Sequence, residues 1–316
     1  MRVFVIGATG YVGSAVADAL HGSGHRVSGL ARSRESADEL GHRGYTAYPG
    51  DMKDSGTLCR AIRDSGSGAV VHAATTGDTD AEEADRAAVE GTLEALRGTG
   101  AAFVYTSGGW VMGETPGSVG DPPSDEESPV EPSPSLSWRP AVERWVLEAA
   151  SVREVRTVVV RPALVYGRAG GVVAELVESA RERGAARYVV GDAPGSDPLW
   201  TLVHTADLGD LYARILARPE AVTGGTLLIA AGAEPVPVRE IAAEASRVHG
   251  SGAPPEPWPL SQAREELGAY ADSLVLSQRL SGAKARLLLG WTPSGSVVFE
   301  ELRSGSYADA AAGSEQ

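Results

Sequence analysis

Three glycines near the start of the chain have the spacing of a turn that holds a phosphate group. Gly7, Gly10 and Gly13 follow an apolar run at residues 3–6, whose lack of alternation is typical of a strand buried on both faces. The apolar residues behind the turn recur on one helix face: Val12, Val16 and Leu20. A glycine turn between a strand and a helix brings backbone N–H groups and the positive end of the helix dipole up to a pyrophosphate. The stretch therefore predicts a dinucleotide-binding turn, with a plain tight connection as the alternative.

A second chemical signal lies at the end of the predicted second strand, residues 26–30. At this position of a dinucleotide site an acid binds the ribose 2′-hydroxyl, whereas an arginine suits a 2′-phosphate. The strand is followed by Arg32 and Ser33, and no Asp or Glu occurs before Glu35. We therefore predict a preference for NADP(H) over NAD(H), with a solvated cationic loop as the alternative.

Polar and small residues end the next two predicted strands. Asp51 and Met52 follow residues 45–48, at the carboxyl edge where parallel sheets bind their ligands. We expect Asp51 to accept a hydrogen bond from an adenine amino group or, alternatively, to cap a turn or helix. Ala73 and Ala74 end the fourth strand and leave room for a flat cofactor ring.

The fifth predicted strand, residues 102–106, runs into hydroxyl side chains. Thr106 and Ser107 would face the reactive part of the cofactor, with ordinary turn hydroxyls as the alternative. Tyr105 should point away from Thr106 and pack in the core, because side chains alternate along a strand. His72, inside an apolar strand, is expected to be a core histidine with a hydrogen-bond partner rather than a base.

The elements that must position these residues are strands and helices that alternate six times. This rhythm predicts an α/β fold, a doubly wound (Rossmann) parallel sheet with a smaller C-terminal substrate-binding part. We expect a cofactor domain at 1–167, a mainly substrate-binding domain at 168–307, and a return of segments at about 199–232 to the first domain. A disordered tail is expected at 308–316. Seven prolines in the 25 residues 116–140 exclude a helix or a central strand there and predict a lid or a disordered loop.

The amino-acid composition limits the classes of molecule that the protein is expected to bind. The net charge of −14 argues against nucleic acid and anionic membranes, and no apolar run is long enough to predict a membrane helix. The single cysteine, Cys59, excludes an intramolecular disulfide and is expected to be a buried structural thiol. No signal peptide is recognisable at the N-terminus. We expect a cytoplasmic protein that binds a small-molecule substrate.

With these elements placed, the chain resembles the extended short-chain dehydrogenase/reductase family, of the NAD-dependent epimerase/dehydratase type. The resemblance covers residues 3 to about 293 and rests on short motifs in the family's order: 7–13, 50–52, 71–74, 105–107, 161–162 with 165–167, 202–204 with 207–208, and 289–291 with 293. The residues that would bind the cofactor are Gly7, Thr9, Gly10, Tyr11, Val12, Gly13, Arg32, Ser33, Asp51, Met52, Ala73, Ala74, Thr106, Arg139, Pro162 and Val165. The resemblance also suggests a homodimer.

The catalytic part of the resemblance is incomplete. The family's typical chemistry uses a Ser or Thr, a Tyr, and a Lys four residues after the Tyr, with the Tyr as general acid or base. Residues 135–143, where the Tyr and Lys should lie, contain neither. Alignment on Glu143 puts Arg139 at the lysine position and Ser135 at the tyrosine position. Arginine can hold a hydroxyl or a carboxamide but does not exchange protons at neutral pH, so the chain resembles atypical members that have lost the tyrosine.

The remaining candidates for chemistry are few. Thr106, Ser107 and Arg139 are the catalytic candidates, and Ser107 lies one residue before the position of the family's serine. Side chains that could line a substrate pocket, with core packing as the alternative, are Trp110, Trp138, Tyr166, Trp200 and His204. No His, Cys and acid cluster has the spacing of a metal site, so no metal is expected.

Three functions fit these observations. The first is an NADPH-dependent reductase of a carbonyl or activated double bond in a small organic molecule, such as a secondary metabolite. The second keeps the fold for a non-redox isomerase, cyclase or dehydratase, or for a sugar-nucleotide epimerase. The third is a protein that senses NADP(H) without turnover. Loss of the tyrosine favours the non-redox and sensing alternatives, whereas the glycine turn and Arg32 favour retained cofactor binding.

Overall fold

The computed structural model describes residues 1–77, 79–115, 122–193, 195–232 and 234–308. Its strands are β1 (Arg2–Ile6), β2 (Arg26–Ala31), β3 (Thr46–Pro49), β4 (Ala69–His72), β5 (Ala102–Thr106), β6 (Arg156–Pro162), β7 (Leu164–Tyr166), β8 (Arg187–Val190), β9 (Leu199–Trp200), β10 (Leu202–His204), β11 (Thr226–Ala230), β12 (Val236–Pro237) and β13 (Glu256–Pro259). Its α-helices are α1 (Tyr11–Gly22), α2 (Arg34–His42), α3 (Ser55–Ser65), α4 (Ala81–Leu96), α5 (Arg139–Val152), α6 (Val172–Arg183), α7 (Thr205–Ala217), α8 (Val238–His249), α9 (Leu260–Leu267), α10 (Tyr270–Leu274), α11 (Ala283–Leu289) and α12 (Val298–Ser304).

Seven strands form one parallel sheet in the order β11-β6-β5-β4-β1-β2-β3. The sheet confirms the predicted Rossmann-type α/β fold. Chain order reverses between β1 and β4, which is where doubly wound sheets bind their ligands. Ile6 pairs with His72, and His72 with Tyr105, so the carboxyl ends of β1, β4 and β5 lie side by side.

Apolar side chains cover both faces of the sheet. Val3 and Val5 belong to a buried cluster that includes residues of α1 and α7. Phe4 and Ile6 point the other way, into a cluster with residues of α3, α4 and α5. Each fully buried aliphatic side chain in these layers contributes about 1.5–3 kcal/mol to folding. A third buried cluster joins α6, α8, β8 and β13 in the C-terminal part of the chain.

The segments after residue 199 contribute both to the large sheet and to the C-terminal part of the protein. β11 pairs with β6 at the edge of the large sheet, and α7 packs along α1. β8 instead pairs with β13, away from the large sheet. No helix in the described part of the chain is long and apolar enough to cross a membrane.

The glycine turn between β1 and α1 is closely packed. Gly7 has φ +87°, a left-handed conformation that favours glycine, and its amide oxygen accepts a hydrogen bond from Gly10 N at 2.9 Å. A Cβ on Gly13 would overlap the carbonyl oxygen of Gly7. The helix therefore starts directly against the turn, at a distance that only glycine at position 13 permits.

Replacing Gly13 with Ala is expected to destabilise the protein by about 3 kcal/mol, because the new methyl meets fixed backbone. Chemical denaturation measures the change. Gly22→Ala is the matched control: it lies at the end of the same helix with nothing within 4 Å of its Cβ position, and it should be neutral or stabilise by about 0.5–1 kcal/mol. Equal stability of the two variants would contradict the close approach.

Several element boundaries differ from the sequence-based expectation. The apolar residues of 199–203 predict one short strand, but the structure has two, Leu199–Trp200 and Leu202–His204. The break occurs at Thr201, whose N–H donates to the carbonyl of Gln278. A distant segment therefore competes for the backbone of the expected strand.

Two proline-rich segments are more ordered than expected. Pro134–Leu136 forms a 3-10 turn and α5 begins at Arg139, so Pro140 lies in the first helical turn, where its missing N–H costs nothing. The four prolines of residues 250–259 predict a linker, but Glu256–Pro259 is the parallel partner of β8. The expectation of a purely irregular stretch up to residue 140 was wrong for these reasons.

The described part of the proline-rich stretch is fixed to the body of the protein. Ser124 N donates to Arg279 O at 2.8 Å, and Ser281 N donates to Ser124 O at 2.8 Å. A Glu126 carboxylate oxygen accepts the N–H of Ile229 in β11 at 2.7 Å. Residues 116–121 of the expected loop or lid lie outside the described residues. So does the tail expected to be disordered at 308–316, except for Ala308.

Candidate active site

A cavity of about 320 Å³ opens where the carboxyl ends of β4, β5, β6 and β7 meet the start of α1 and α5. Its lining residues are Val12, Ala73, Ala74, Thr75, Thr106, Ser107, Gly108, Gly109, Trp110, Val111, Leu136, Arg139, Pro162, Ala163, Leu164, Val165 and Gln278. The cavity thus brings together many of the residues predicted from the sequence. They are Val12, Ala73, Ala74, the three catalytic candidates Thr106, Ser107 and Arg139, and Pro162 and Val165.

Thr106 is held by a residue that no sequence pattern identifies. Its hydroxyl lies 2.6 Å from the hydroxyl of Tyr212 on α7. Burial raises the pKa of the Tyr212 phenol well above its usual value, so Tyr212 stays protonated and neutral. Thr106 is therefore held by a rigid hydrogen bond at the cavity wall.

Three buried polar atoms at this cavity have no hydrogen-bond partner in the described part of the chain. They are Ser107 Oγ, Arg139 Nε and Trp110 Nε1. An unsatisfied buried donor or acceptor costs about 1–3 kcal/mol. A bound molecule that supplied partners would recover part of that cost, which makes this wall a candidate binding surface.

Arg139 is the only ionisable side chain among the described residues of the cavity lining. Its guanidinium lies 4.6 Å from the centre of the Trp138 ring, a cation–π contact. Trp138 itself packs against the apolar cluster beneath α5 and does not line the cavity. Trp138, expected to line a pocket, therefore contacts the cavity residue Arg139 but not the cavity itself.

Ser135, at the position of the family's tyrosine, is exposed and outside the cavity. Its hydroxyl lies 3.1 Å from that of Ser133. Neither Ser135 nor Arg139 can exchange a proton at neutral pH as a Tyr–Lys pair does.

Gln278 lines the cavity and is another residue that no sequence pattern identifies. Its side-chain amide donates to the carbonyls of Gly109 and Gly113 at 2.8 and 2.9 Å. It lies 169 positions from Gly109 in the chain and belongs to no recognised motif, so no local signal could have identified it.

Three of the expected pocket residues lie elsewhere. Trp200 lines a separate cavity of about 340 Å³ in the C-terminal part, and its Nε1 donates to Leu274 O at 3.3 Å. Tyr166 donates its hydroxyl to Ser296 O at 2.6 Å. His204 is the N-cap of α7, accepting from Ala206 N, with its other ring nitrogen 3.5 Å from Glu301. Packing of the C-terminal segments places these side chains outside this cavity, and for Tyr166 this agrees with the alternative of core packing; a part of the three residues in substrate binding stays a prediction.

A buried ion pair lies next to the cavity, outside its lining, and joins two of the elements that form it. Arg161 Nη2 lies 2.6 Å from Glu143 Oε2, and Arg161 Nε lies 3.0 and 3.2 Å from the two carboxylate oxygens. Both side chains are about 95 % buried, with exposures of 5 % and 3 %. The pair joins β6, which leads to Pro162, to α5, which begins at Arg139.

The start of α1 has backbone N–H groups that no side-chain cap satisfies, a feature typical of anion-binding helix starts. Gly10 is its N-cap and brings no side chain to the free N–H groups of the first turn. Thr9 is half-buried beside it. Tyr11 points sideways, donating its hydroxyl to Gly167 O at 3.0 Å, so only its backbone faces the turn.

A more open cavity of about 330 Å³ lies at the carboxyl ends of β2 and β3. It is lined by Ala31, Arg32, Ser33, Arg34, Ala37, Ala47 and Pro49. Arg32 is exposed there, whereas Ser33 caps α2 by accepting from Ser36 N. Asp51 accepts from Lys53 N at 2.9 Å in a turn, and Met52 packs against the core, so neither lines this cavity.

Sequence similarity identifies the family of this chain. The model of the NAD dependent epimerase/dehydratase family matches residues 3–230. The chain belongs to this family. It is an enzyme of the extended short-chain dehydrogenase/reductase type.

Relatives of this family member cover most of its length. It is 30% identical over 313 residues to an uncharacterized protein of Schizosaccharomyces pombe, covering 97% of the chain and 100% of the relative. It is 27% identical over 314 residues to the 3-diazoavenalumate denitrifying reductase of a Streptomyces species, covering 93% and 96%. It is 30% identical over 251 residues to the 2-alkyl-3-oxoalkanoate reductase of Stenotrophomonas maltophilia, covering 76% and 73%.

Solved structures agree on the fold. The UDP-glucose 4-epimerase of Thermus thermophilus, in complex with NAD, matches with a TM-score of 0.78 at 22% identity, covering 98% of this chain and 100% of that one. At this identity the likeness establishes the family member's architecture alone.

Proposed function

We propose that this family member is an NADPH-dependent reductase of a carbonyl group or an activated double bond in a small organic molecule. The observation that supports this proposal is the cavity wall, where Ser107 Oγ and Arg139 Nε have no hydrogen-bond partner in the described part of the chain. Ser107 follows β5 and Arg139 begins α5, and the described lining residues include no side chain that exchanges protons at neutral pH. The names of two relatives as reductases support the proposal.

The residues present fit a dinucleotide cofactor. The Gly7–Gly13 contact leaves no room for side chains between the turn and α1, and the uncapped helix start offers N–H groups for the pyrophosphate. Ala73, Ala74, Pro162 and Val165 would enclose the nicotinamide end. When bound, NADPH supplies the hydride.

The chain's own residues would stabilise charge rather than exchange protons. Arg139 and Ser107 would donate hydrogen bonds to the oxygen that becomes negative when hydride reaches the carbon. Thr106, held by Tyr212, would fix the substrate or the ribose. Because Arg139 keeps its proton, the proton that completes the reduction would come from water.

A sugar-nucleotide epimerase or another non-redox enzyme is the competing proposal. It would need an acid or base at the position of Ser135 or Arg139, and Ser135 is exposed and outside the cavity. The test is incubation with NADPH, deuterium-labelled at C4, and a panel of ketones, enones and diazo compounds. We expect deuterium in one product and equal loss of NADPH. Tight NADPH binding with no transfer to any compound, or conversion by cofactor-free protein, would contradict the reductase proposal.

Arg32→Ala is expected to weaken NADPH binding about 10–100-fold, because a charge-assisted hydrogen bond to the 2′-phosphate is lost. NADH affinity, measured by the same titration calorimetry, should change less than about twofold. Arg86→Ala controls for net charge, since Arg86 is an exposed partner of Glu82 on α4. An equal loss for both cofactors would show that Arg32 does not read the phosphate.

A further inference from the structure

A two-residue turn follows β7 and lies next to the start of α1. Gly167 and Gly170 form an antiparallel bridge, and Gly170 N donates to Gly167 O at 3.2 Å. The two residues between them, Arg168 and Ala169, both have φ +52°, the left-handed conformation that residues other than glycine rarely adopt. Contacts from the surrounding structure must therefore hold this 167–170 turn in its shape.

The turn is attached to α1 at three positions on one face of the helix. The Tyr11 hydroxyl donates to Gly167 O at 3.0 Å. Arg168 Nη1 lies 2.9 Å from an Asp18 carboxylate oxygen, and it donates to the Ser14 hydroxyl at 3.4 Å. Tyr11 is the first residue of α1, in the helical turn whose N–H groups would face the pyrophosphate. A shift of the turn would therefore also shift the start of this helix.

Two residues near the end of the described chain hold the backbone of the turn. Tyr307 is 1 % exposed; its hydroxyl accepts the N–H of Gly167 and donates to Gly170 O, both at 2.8 Å. The Ser306 hydroxyl accepts the N–H of Ala169 at 2.9 Å. Three backbone polar groups of the turn thus have their partners on these two side chains.

We propose that Ser306 and Tyr307 are positioning residues for the pyrophosphate of the cofactor: they hold the 167–170 turn against Tyr11 and so fix the first turn of α1. The proposal rests on the proposed function in taking the glycine turn before α1 as a dinucleotide site. Because coupling between two sites is reciprocal, a bound pyrophosphate should in turn stabilise the contacts made by Ser306 and Tyr307.

A purely structural role is the alternative, because the same hydrogen bonds attach the end of the described chain to the body of the protein. Loss of these bonds would then lower stability without changing the affinity for a ligand at α1. A positioning role instead predicts a loss of affinity in protein that stays folded. It also predicts that the ligand protects the turn from opening.

The first test measures ADP-ribose binding to the full chain by titration calorimetry. ADP-ribose carries the pyrophosphate but neither the nicotinamide nor a 2′-phosphate, so its binding requires neither hydride transfer nor Arg32. Tyr307→Phe keeps the ring and removes both hydrogen bonds of the hydroxyl, and it should weaken binding about 5–20-fold, a typical size for coupling between sites. Ala169→Gly in the same variant should recover part of the loss, since glycine adopts the left-handed conformation without strain.

Tyr188→Phe is the matched control for the loss of a buried tyrosine hydroxyl. Tyr188 is 4 % exposed, and its hydroxyl donates to an Asp197 carboxylate oxygen at 3.1 Å; it belongs to β8 rather than to the turn or to α1. This variant should lower the melting temperature without changing the affinity for ADP-ribose. Wild-type affinity in Tyr307→Phe, or an equal loss of affinity in both variants, would overturn the positioning role.

The second test is hydrogen exchange of the amides in the turn, followed by mass spectrometry. The N–H groups of Gly167 and Ala169 donate to the two C-terminal hydroxyls, so they exchange when those contacts open. Saturating ADP-ribose should slow this exchange in the wild type by about the factor that Tyr307→Phe loses in affinity, and should slow it less in Tyr307→Phe. Exchange that is unchanged by the ligand would overturn the proposed coupling.

Both tests are separable from the proposed function. If no compound is reduced but Tyr307→Phe weakens ADP-ribose binding, the positioning role stands and the reductase proposal fails. If a compound is reduced and Tyr307→Phe binds ADP-ribose and NADPH as the wild type does, the reductase proposal stands and the positioning role fails. A wild-type chain that binds neither ADP-ribose nor NADPH would contradict both.

Discussion

Arg139→Gln is expected to lower kcat about 10²–10³-fold while leaving the melting temperature unchanged or higher. The expected rate loss is that of removing one preorganised donor to a developing oxyanion. Stability should not fall, because relief of a partly buried charge whose Nε has no hydrogen-bond partner in the described part of the chain outweighs the loss of the cation–π contact with Trp138. Steady-state kinetics with a reduced compound and a thermal melt measure the two effects.

Two further variants test whether the effect depends on the guanidinium group of Arg139. Arg139→Lys keeps the charge but loses the planar fork, and should recover only part of the rate. Arg144→Gln, an exposed arginine on the same helix, should change neither rate nor stability. If Arg139→Gln unfolds the protein or retains full kcat, the guanidinium is structural and the proposed oxyanion contact is wrong.

Glu143→Gln is expected to destabilise the protein by about 3–5 kcal/mol, because Arg161 would remain buried as an uncompensated charge. The three short contacts between the side chains make the loss large. Because α5 carries Arg139 at its start, the folded fraction should also lose activity. Urea denaturation gives the stability change directly.

The control for this pair is on the same helix. Glu148→Gln, at an exposed position, should change stability by less than about 0.5 kcal/mol. Replacing both partners with apolar residues, as Glu143→Leu with Arg161→Met, should recover most of the loss since no buried charge remains. A single-partner variant as stable as the wild type would show that the pair contributes little.

The parts of the fold that repeat a local period were predictable from the sequence. The strand Ala102–Thr106 has the bounds that its pattern indicated, and the strand predicted at 26–30 is observed at Arg26–Ala31, one residue longer. Boundaries set by distant chain could not be predicted. Thr201 interrupts a strand because its N–H reaches Gln278, and such a contact leaves no trace in a local window.

The candidate site likewise contains residues that the sequence predicts and residues that only tertiary packing positions. The residues after parallel strands, such as Ala73 and Thr106, had to lie at one edge of the sheet, and they do. Trp200 and His204 could not be placed, because packing of the C-terminal segments decides which way they face. Tyr212 and Gln278 act by tertiary contact alone. The roles given to the site residues stay predictions until the variants are measured.

The contact between Glu126 and the N–H of Ile229 has a consequence for assembly. β11 is the outer strand of the sheet, and an outer strand with free N–H groups is a template for adding a strand from another molecule. The carboxylate occupies one of those groups with a negative charge, and the opposite margin, β3, is four residues long and ends in Pro49. Both margins thus resist edge-to-edge joining, so two copies that associate should do so through helices rather than through one continuous sheet.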